Sequence, residues 1–411
     1  PADVTAILKT AAEARTEAQR ARLLDFRLER DPAANERRAH RESLQKSLQA
    51  LKKPITLVMR ELPGPRATNV FTRGDFRSPG EPVAAAVPQV LHRMSEGPLN
   101  RLTLARWLVE RDNPITARVV VNRWWAELFG HGIVTTLEDF GVKGEPPTHP
   151  ELLDWLAVEF MENGWSMKKL LRTIVTSATY RQSSRSTREQ VARDAENLLY
   201  TRGPRFRLAA ETIRDNALAI AGLLSLRAGG PPVRPYQPDG LWTKVGGQPL
   251  EYIVSPGDDR YRRGVYVVWK RASPYPSFVN FDANARLACT VRRSRSNTPL
   301  QALTLLNDPV YVEAAFALAR RVLRERPDVP LDEQLRYAWR LCLSRNADAA
   351  ELAVLRRLHE AQVSAARADP AAAKALADQS GDENPVSPDQ LAAWYAVASA
   401  LLNLDETITK N

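Results

Sequence analysis

Cysteine is almost missing from this chain: 411 residues carry 2, Cys289 and Cys342. There is no Cys-x-x-Cys-His run, which excludes a c-type haem covalently attached to this segment. Nor is there Cys/His spacing of the kind that holds zinc, and no metal site is expected. In an exported chain the two thiols could pair, closing a loop worth roughly 4 kcal/mol in the chain-entropy picture. Two isolated cysteines are more commonly free and buried, and that is the expected state. Histidine is scarce as well, at 5. His-Glu-x-x-His, Gly-x-Ser-x-Gly and a Gly-rich phosphate loop are all absent. The usual signatures of zinc proteases, serine hydrolases and nucleotide-binding proteins are therefore missing. No apolar run reaches the length that spans a bilayer, so no membrane span is expected. No repeat of fixed period occurs. The chain opens on Pro1, with neither an initiator methionine nor a signal-peptide pattern, as expected of a segment cut or processed from a longer product.

What the chain has is arginine. Its net charge is +10 and its pI about 9.7, with lysine sparse. Guanidinium suits bidentate contact with phosphate, sulfate or carboxylate better than ammonium does. A GC-rich genome, which favours arginine codons over lysine, accounts for the total better than function does; a local cluster needs its own explanation. Positive charge fits nucleic acid, but no nucleic-acid motif accompanies it, and nucleic acid is not the expected partner. The length allows one large core or two to three smaller ones.

The pattern of elements predicts a mainly helical α+β protein. Residues 2–51 lack Gly and read as two helices split at Asp31-Pro32, a helical hairpin. Residues 1–53 are then an arm or linker, and 54–411 the globular domain. Small β elements are expected near 55–77 and in an inserted β-rich segment, 233–272, whose clearest strand candidate is 261–271. Helices are expected through 100–182, over 207–227, and again from Thr298. Residues 148–151 offer a capping box, and 369–389 read as a flexible loop. Trp107, Trp124, Trp125, Trp155, Trp165 and Trp394, at helical spacing, are expected in the core.

The densest constellation is Cys289-Thr-Val-Arg-Arg-Ser-Arg-Ser-Asn-Thr-Pro-Leu-Gln301. It places Arg292, Arg293 and Arg295 in a loop that opens on a helix. Thr298 suits the N-cap, Pro299 the first helical position and Gln301 the third, the capping-box pattern. Unpaired N–H groups at such a terminus, with arginines beside them, make an anion site. These arginines and Asn297 are the leading candidates. Arg118 and Asn122 share a helix face. They form either a polar pocket for an anion or sugar, or a tie to the carbonyls of the 133–147 loop; the tie weighs more, since buried polar groups must find partners. His149 follows the loop acids Glu138, Asp139 and Glu145. Acid–base or metal chemistry there lacks a ligand spacing, and pairing of the acids with Arg118, Arg123 or Lys143 is the plainer account. Glu251, Asp258 and Asp259 do not have EF-hand spacing. Trp242, Tyr252, Tyr261, Tyr275 and Phe278 lie on Pro- and Gly-rich loops, where they either stack on sugars or pack beneath the loops. No catalytic residue is assigned.

Several long stretches occur in a telling order: Asn113-Pro-Ile-Thr-Ala-Arg-Val-Val-Val-Asn-Arg-Trp-Trp125, Leu128-Phe-Gly-His-Gly-Ile-Val134, the run from Asp139 to Trp155, Ser177-Ala-Thr-Tyr-Arg-Gln-Ser183, Tyr236-Gln-Pro-Asp-Gly-Leu-Trp242 and residues 292–308. Over roughly residues 66–408 the chain resembles the planctomycete-specific domain of unknown function. That resemblance implies a place at the C-terminal end of large exported proteins, behind a planctomycete-type cytochrome c domain and a second uncharacterised domain. It further implies a periplasmic or extracellular location and a cytochrome c-type neighbour as partner. Haem c would sit upstream, with no cofactor in this chain. It supplies no established reaction. From the arginine cluster, the charge and the loop aromatics, the expected function is a binding or processing module for an anionic polymer, a polysaccharide, acting beside the cytochrome. The alternatives are the substrate domain of a cytochrome-linked redox enzyme, and a structural or assembly subunit without catalysis, for which the N-terminal arm argues.

Overall fold

The computed structural model describes residues 1–51, 55–62, 64, 66–94, 96–242, 251–381 and 386–410. The chain forms two compact units, Pro1–Ala86 and Val87–Asn411. The first begins with helices α1 (Ala2–Leu8), α2 (Glu17–Leu28) and α3 (Pro32–Ala50). The break before α3 follows from its residues: Pro32 occupies the first turn and the Asp31 carboxylate accepts from Ala33 N–H at 3.0 Å. A second break, before α2, has its own capping box. Gln19 N–H donates to Thr16 Oγ1, and Thr16 N–H donates back to Gln19 Oε1 at 3.0 Å. An Arg22–Asp3 ion pair at 2.8 Å ties α1 to α2, whereas α3 buries none of its residues. Strands β1 (Thr68–Phe71) and β2 (Pro79–Val83) then pair antiparallel. Ile55, Leu57, Val58 and Met59, in the preceding stretch, are exposed and form no strand. Pro63 and Pro65, within the stretch where that β element is expected, lie outside the described residues.

The second unit is built around two cores. In the first, α4 (Arg101–Leu108) leads into α5 (Thr116–Phe129), which packs against α6 (Pro150–Glu162) and α7 (Met167–Thr176). Val121, Trp125 and Phe129 meet Leu153, Leu156, Phe160, Leu170 and Ile174. These positions recur at three- and four-residue spacing, so each helix offers one apolar stripe. Gly130 ends α5 in the left-handed conformation at φ 88°, a position that favours glycine. A short α8 (Arg188–Arg193) follows. Next come β3 (Phe206–Arg207) and α9 (Ala210–Ala221), then α10 (Pro276–Asn280) and α11 (Pro299–Asn307). After these the chain runs through α12 (Pro309–Glu325), α13 (Leu331–Leu343), α14 (Ala349–Ala368), α15 (Pro370–Gln379) and α16 (Pro388–Leu402) to β4 (Thr409–Lys410). The second core gathers Leu218, Tyr311, Phe316, Leu318, Leu335, Trp394, Val397 and Leu401. β3 pairs with β4, which brings Arg207 beside the end of the chain. The fold is thus mainly helical α+β, with two small two-stranded sheets among the described residues. No helix among them is long and apolar enough to cross a membrane. Cys289 is exposed, Cys342 buried, and both are free.

Several local expectations are corrected. The 233–272 segment holds no regular strand among its described residues, only an isolated bridge of Val233 with Val267 and one of Arg262 with Ser225. Buried guanidinium groups tie this segment and the turn before it in place. Arg214 donates to the carbonyls of Arg262 at 2.8 Å and Arg260 at 2.6 Å. Arg262, fully buried, donates to those of Pro231, Arg227 and Gly229. Residues 370–379 form α15 rather than a loop, with Ala373 and Ala377 buried. Trp155 lies on the solvent face of α6 at 54% exposure. The expected cap at Thr148 is displaced: its hydroxyl donates to Ile133 O at 3.2 Å, and His149 takes the N-cap position of α6.

Candidate anion-binding cleft

The arginine loop forms one wall of a cleft of about 850 Å³. Its lining includes Arg207, Glu211, Asp282, Arg286, Arg292, Arg293 and Arg295, with Glu127 at the end of α5 and Phe281 beneath. The loop leaves α10 through Asp282, whose φ is +62°. The Asp282 carboxylate accepts from Ser296 N–H at 2.7 Å and from Ser296 Oγ at 2.9 Å, closing the loop on itself. At the foot of α11, Gln301 is buried and fully engaged. Its Nε2 donates to Asn280 O at 3.0 Å and Ser296 Oγ at 3.1 Å. Its Oε1 accepts from Arg207 at 2.8 Å and from Thr298 N–H at 3.4 Å. The loop-to-helix corner expected from Thr298, Pro299 and Gln301 is present, with Thr298 at the N-cap.

The arginines divide into two groups. Arg293 donates to Glu211 at 2.7 Å, and Arg286 lies 3.8 Å from the other oxygen of that carboxylate. Burial pushes the Glu211 carboxyl up, but the Arg293 hydrogen bond, a backbone N–H and the two guanidinium charges prevail and hold it below its ordinary value. Arg207 is consumed by Gln301, by Asn297 at 3.0 Å and by Asp405 at 3.2 Å. Arg292 and Arg295 differ: neither has a hydrogen bond or ion pair among the described residues. Both are exposed, and the Arg295 guanidinium lies over the Phe206 ring at 4.2 Å. Its pKa is lowered, chiefly by loss of hydration, against the pull of Glu127 and with the help of the like charge on Arg292.

The remaining sequence candidates lie apart from the cleft lining. Asn297 serves as an acceptor for Arg207. Asn122 is fully buried; its Nδ2 donates to Val134 O and its Oδ1 accepts from Val134 N–H, both at 2.9 Å. Arg118 pairs with Asp154 at 2.7 Å and donates to Pro114 O at 2.6 Å, not to the loop acids expected for it; of these, Asp139 accepts from Gly141 N–H instead. The His149 ring contacts Thr148 Oγ1 at 3.0 Å and tilts against Tyr200. The loop aromatics are mostly interior: Trp242, Tyr275 and Phe278 are buried. No group of three His, Cys, Asp or Glu able to hold a metal occurs among the described residues. Glu211, Asp282, Arg207 and Arg286 were not singled out from sequence. Only the fold brings them near Arg292, and the one local signal was Asp282, placed just before the loop.

Fold and cleft together define a mainly helical α+β protein with an arginine-lined cleft. The family described as "Protein of unknown function (DUF1553)", PSD1, matches residues 100–359, and the chain belongs to that family. The matched region includes the whole cleft lining. Neither a curated protein nor a solved structure matches the chain.

Proposed function

We propose that this protein is a binding module for an anionic polymer, and that the polymer is an acidic polysaccharide, encountered outside the cytoplasm beside a cytochrome c-type neighbour. The observation that carries the reading is the pair of exposed guanidinium groups, Arg292 and Arg295, held on a braced loop without a hydrogen bond or ion pair among the described residues. Guanidinium left unspent in a cleft is available for bidentate contact with sulfate or carboxylate. Charge rather than stacking supplies the recognition, because Phe281, the ring beneath the lining, is buried. Three carboxylates in the same lining, Glu127, Glu211 and Asp282, weigh against a nucleic-acid backbone. The test is retention on dextran sulfate and on polygalacturonate across a salt series, with neutral dextran as control. Retention that weakens steeply with salt, and that falls in Arg292→Ala/Arg295→Ala while the melting temperature moves little, is expected. Equal retention on neutral dextran, or none on either acidic polymer, overturns the reading.

A further inference from the structure

We infer that Glu211 is a built-in competitor for the cleft: its carboxylate occupies the anion seat made by Arg293, Arg286 and the N-terminus of α9, so a ligand that engages Arg293 must displace it. The inference rests on the anion-binding reading and deepens it. Glu211 is the second residue of a twelve-residue helix whose N-cap, Ala209, has no side chain able to cap. The first turn of α9 therefore presents N–H groups without a side-chain acceptor at the N-cap, and a negative group is favoured there. The Glu211 carboxylate is that group. It is 2.7 Å from Arg293, 3.8 Å from Arg286 and only 15% exposed. Its backbone cannot back away, because Gly264 packs against it so tightly that an added Cβ would lie 2.8 Å from Glu211 Cβ. The seat thus already holds the chemistry an incoming acid would offer.

This divides the arginines by role. At rest the cleft offers Arg292 and Arg295; Arg293 is neutralised from within. A lone anion gains little at Arg293, since it exchanges one carboxylate for another that is tethered nearby. A polymer whose neighbouring groups already sit on Arg292 and Arg295 presents its next acid at high local concentration and can displace Glu211. The cleft therefore favours a chain of closely spaced acids over an isolated one.

The test compares binding of dextran sulfate and of inorganic sulfate by the wild type, Glu211→Gln and Glu211→Gln/Arg293→Ala. Gln keeps the size and removes the charge. Glu211→Gln is expected to bind both probes about tenfold tighter, the effect of one further charge-assisted hydrogen bond to the ligand, and to narrow the advantage of the polymer over the lone ion. Adding Arg293→Ala should cancel the gain. No binding by any variant overturns the cleft reading itself. Wild-type binding that Glu211→Gln leaves unchanged overturns the competitor and spares the cleft. A gain that survives Arg293→Ala also overturns it, because Glu211 would then act as distant charge rather than as an occupant. If Glu211→Gln does not fold by circular dichroism, Glu211→Asp withdraws the carboxylate by one methylene; a gain of about threefold is then expected, and no gain overturns the inference.

Discussion

The 113–149 region and the 282–301 corner are made from the same kinds of residue and use them in opposite ways. Both place arginine, asparagine and acidic side chains between a helix end and a long loop. In the first, the two asparagines and Arg118 are consumed, although Arg123 is exposed and has no hydrogen bond or ion pair among the described residues. Asn122 closes on both polar atoms of the Val134 backbone, Asn113 accepts from Ile115 and Thr116 N–H at 3.0 Å, and Arg118 is shared between Asp154 and Pro114. In the second, the bracing is done by uncharged or already paired groups, Gln301, Ser296 and Asp282, and two guanidinium groups are left over. A scaffold and a site therefore differ less in composition than in where hydrogen-bonding capacity remains unspent.

The comparison is broken most severely through Asn122. Asn122→Ala leaves the buried N–H and C=O of Val134 without partners and opens a void, which should cost about 3 kcal/mol. Chemical denaturation measures the loss. Retention on dextran sulfate, corrected to the folded fraction, should be unchanged. A variant that melts like the wild type, or one that folds fully but no longer binds, would make the 113–149 region the site. Conversely, Arg292→Ala/Arg295→Ala should lower affinity for dextran sulfate about a hundredfold, near tenfold for each charge-assisted contact. Its unfolding midpoint should move little, since neither side chain has a hydrogen bond or ion pair to lose among the described residues and the Arg295–Phe206 contact contributes at most about 1 kcal/mol.

The sequence made some of this legible and not the rest, for physical reasons. Caps and breaks are local, so Asp31-Pro32, Gly130 and the Thr298 corner could be read from neighbouring residues alone. The tie to the following loop was legible for Asn122, because an amide among valines must find a partner close by; it was wrong for Arg118, which bonds Asp154 and Pro114 O instead. The strand expected at 261–271 is reduced to isolated bridges: Tyr261 O accepts from Ser225 N–H, Tyr266 O accepts from Val233 N–H and Val268 N–H donates to Val233 O. Between them Arg214, 48 residues from Arg262, takes the Arg262 carbonyl. Trp155 could not be told from a core residue by spacing, as its helix exposes the face it occupies. The arginine loop was visible, but Glu211, 82 residues from Arg293, was not. Long-range ion pairs leave no periodic trace.

The corner itself gives a sharper probe than its cap. Gln301 bonds to Asn280, Ser296, Arg207 and Thr298 from a buried position, so Gln301→Ala should cost about 2 kcal/mol. It should also loosen the loop, so that dextran sulfate retention falls along with stability. Arg292→Ala/Arg295→Ala should separate those two readouts, and Asn122→Ala should separate them in the other direction. If Gln301→Ala destabilises the protein while polymer affinity stays at the wild-type value, the brace does not position the arginines, and the link between corner and cleft fails.

The smallest effect is a difference of sign between two acids. Glu211, in the cleft, has its carboxyl held below the ordinary value by Arg293 against the cost of burial; Asp308, at the N-cap of α12, has its own pushed up, chiefly by burial. A depressed carboxyl contributes stability that is present above its unfolded pKa and is lost as pH falls through the lower folded value. A raised one contributes stability that is present below its unfolded pKa and is lost as pH rises through the higher folded value. Glu211→Gln should therefore remove an acid-side loss: the variant is less stable than the wild type at pH 7, and the gap closes as pH falls below about 4. The gap is small, roughly half a kcal/mol, because Arg293 is partly exposed and the pair is screened. Asp308→Asn keeps an oxygen to accept from Val310 N–H, now at 3.1 Å. It should run the other way, gaining on the wild type as pH rises from about 3 to about 7. Urea midpoints at several pH values read both slopes. Slopes of the same sign would mean that the two carboxylates share one environment, and that the contrast between a charge held for binding and a charge held for structure does not extend to the acids.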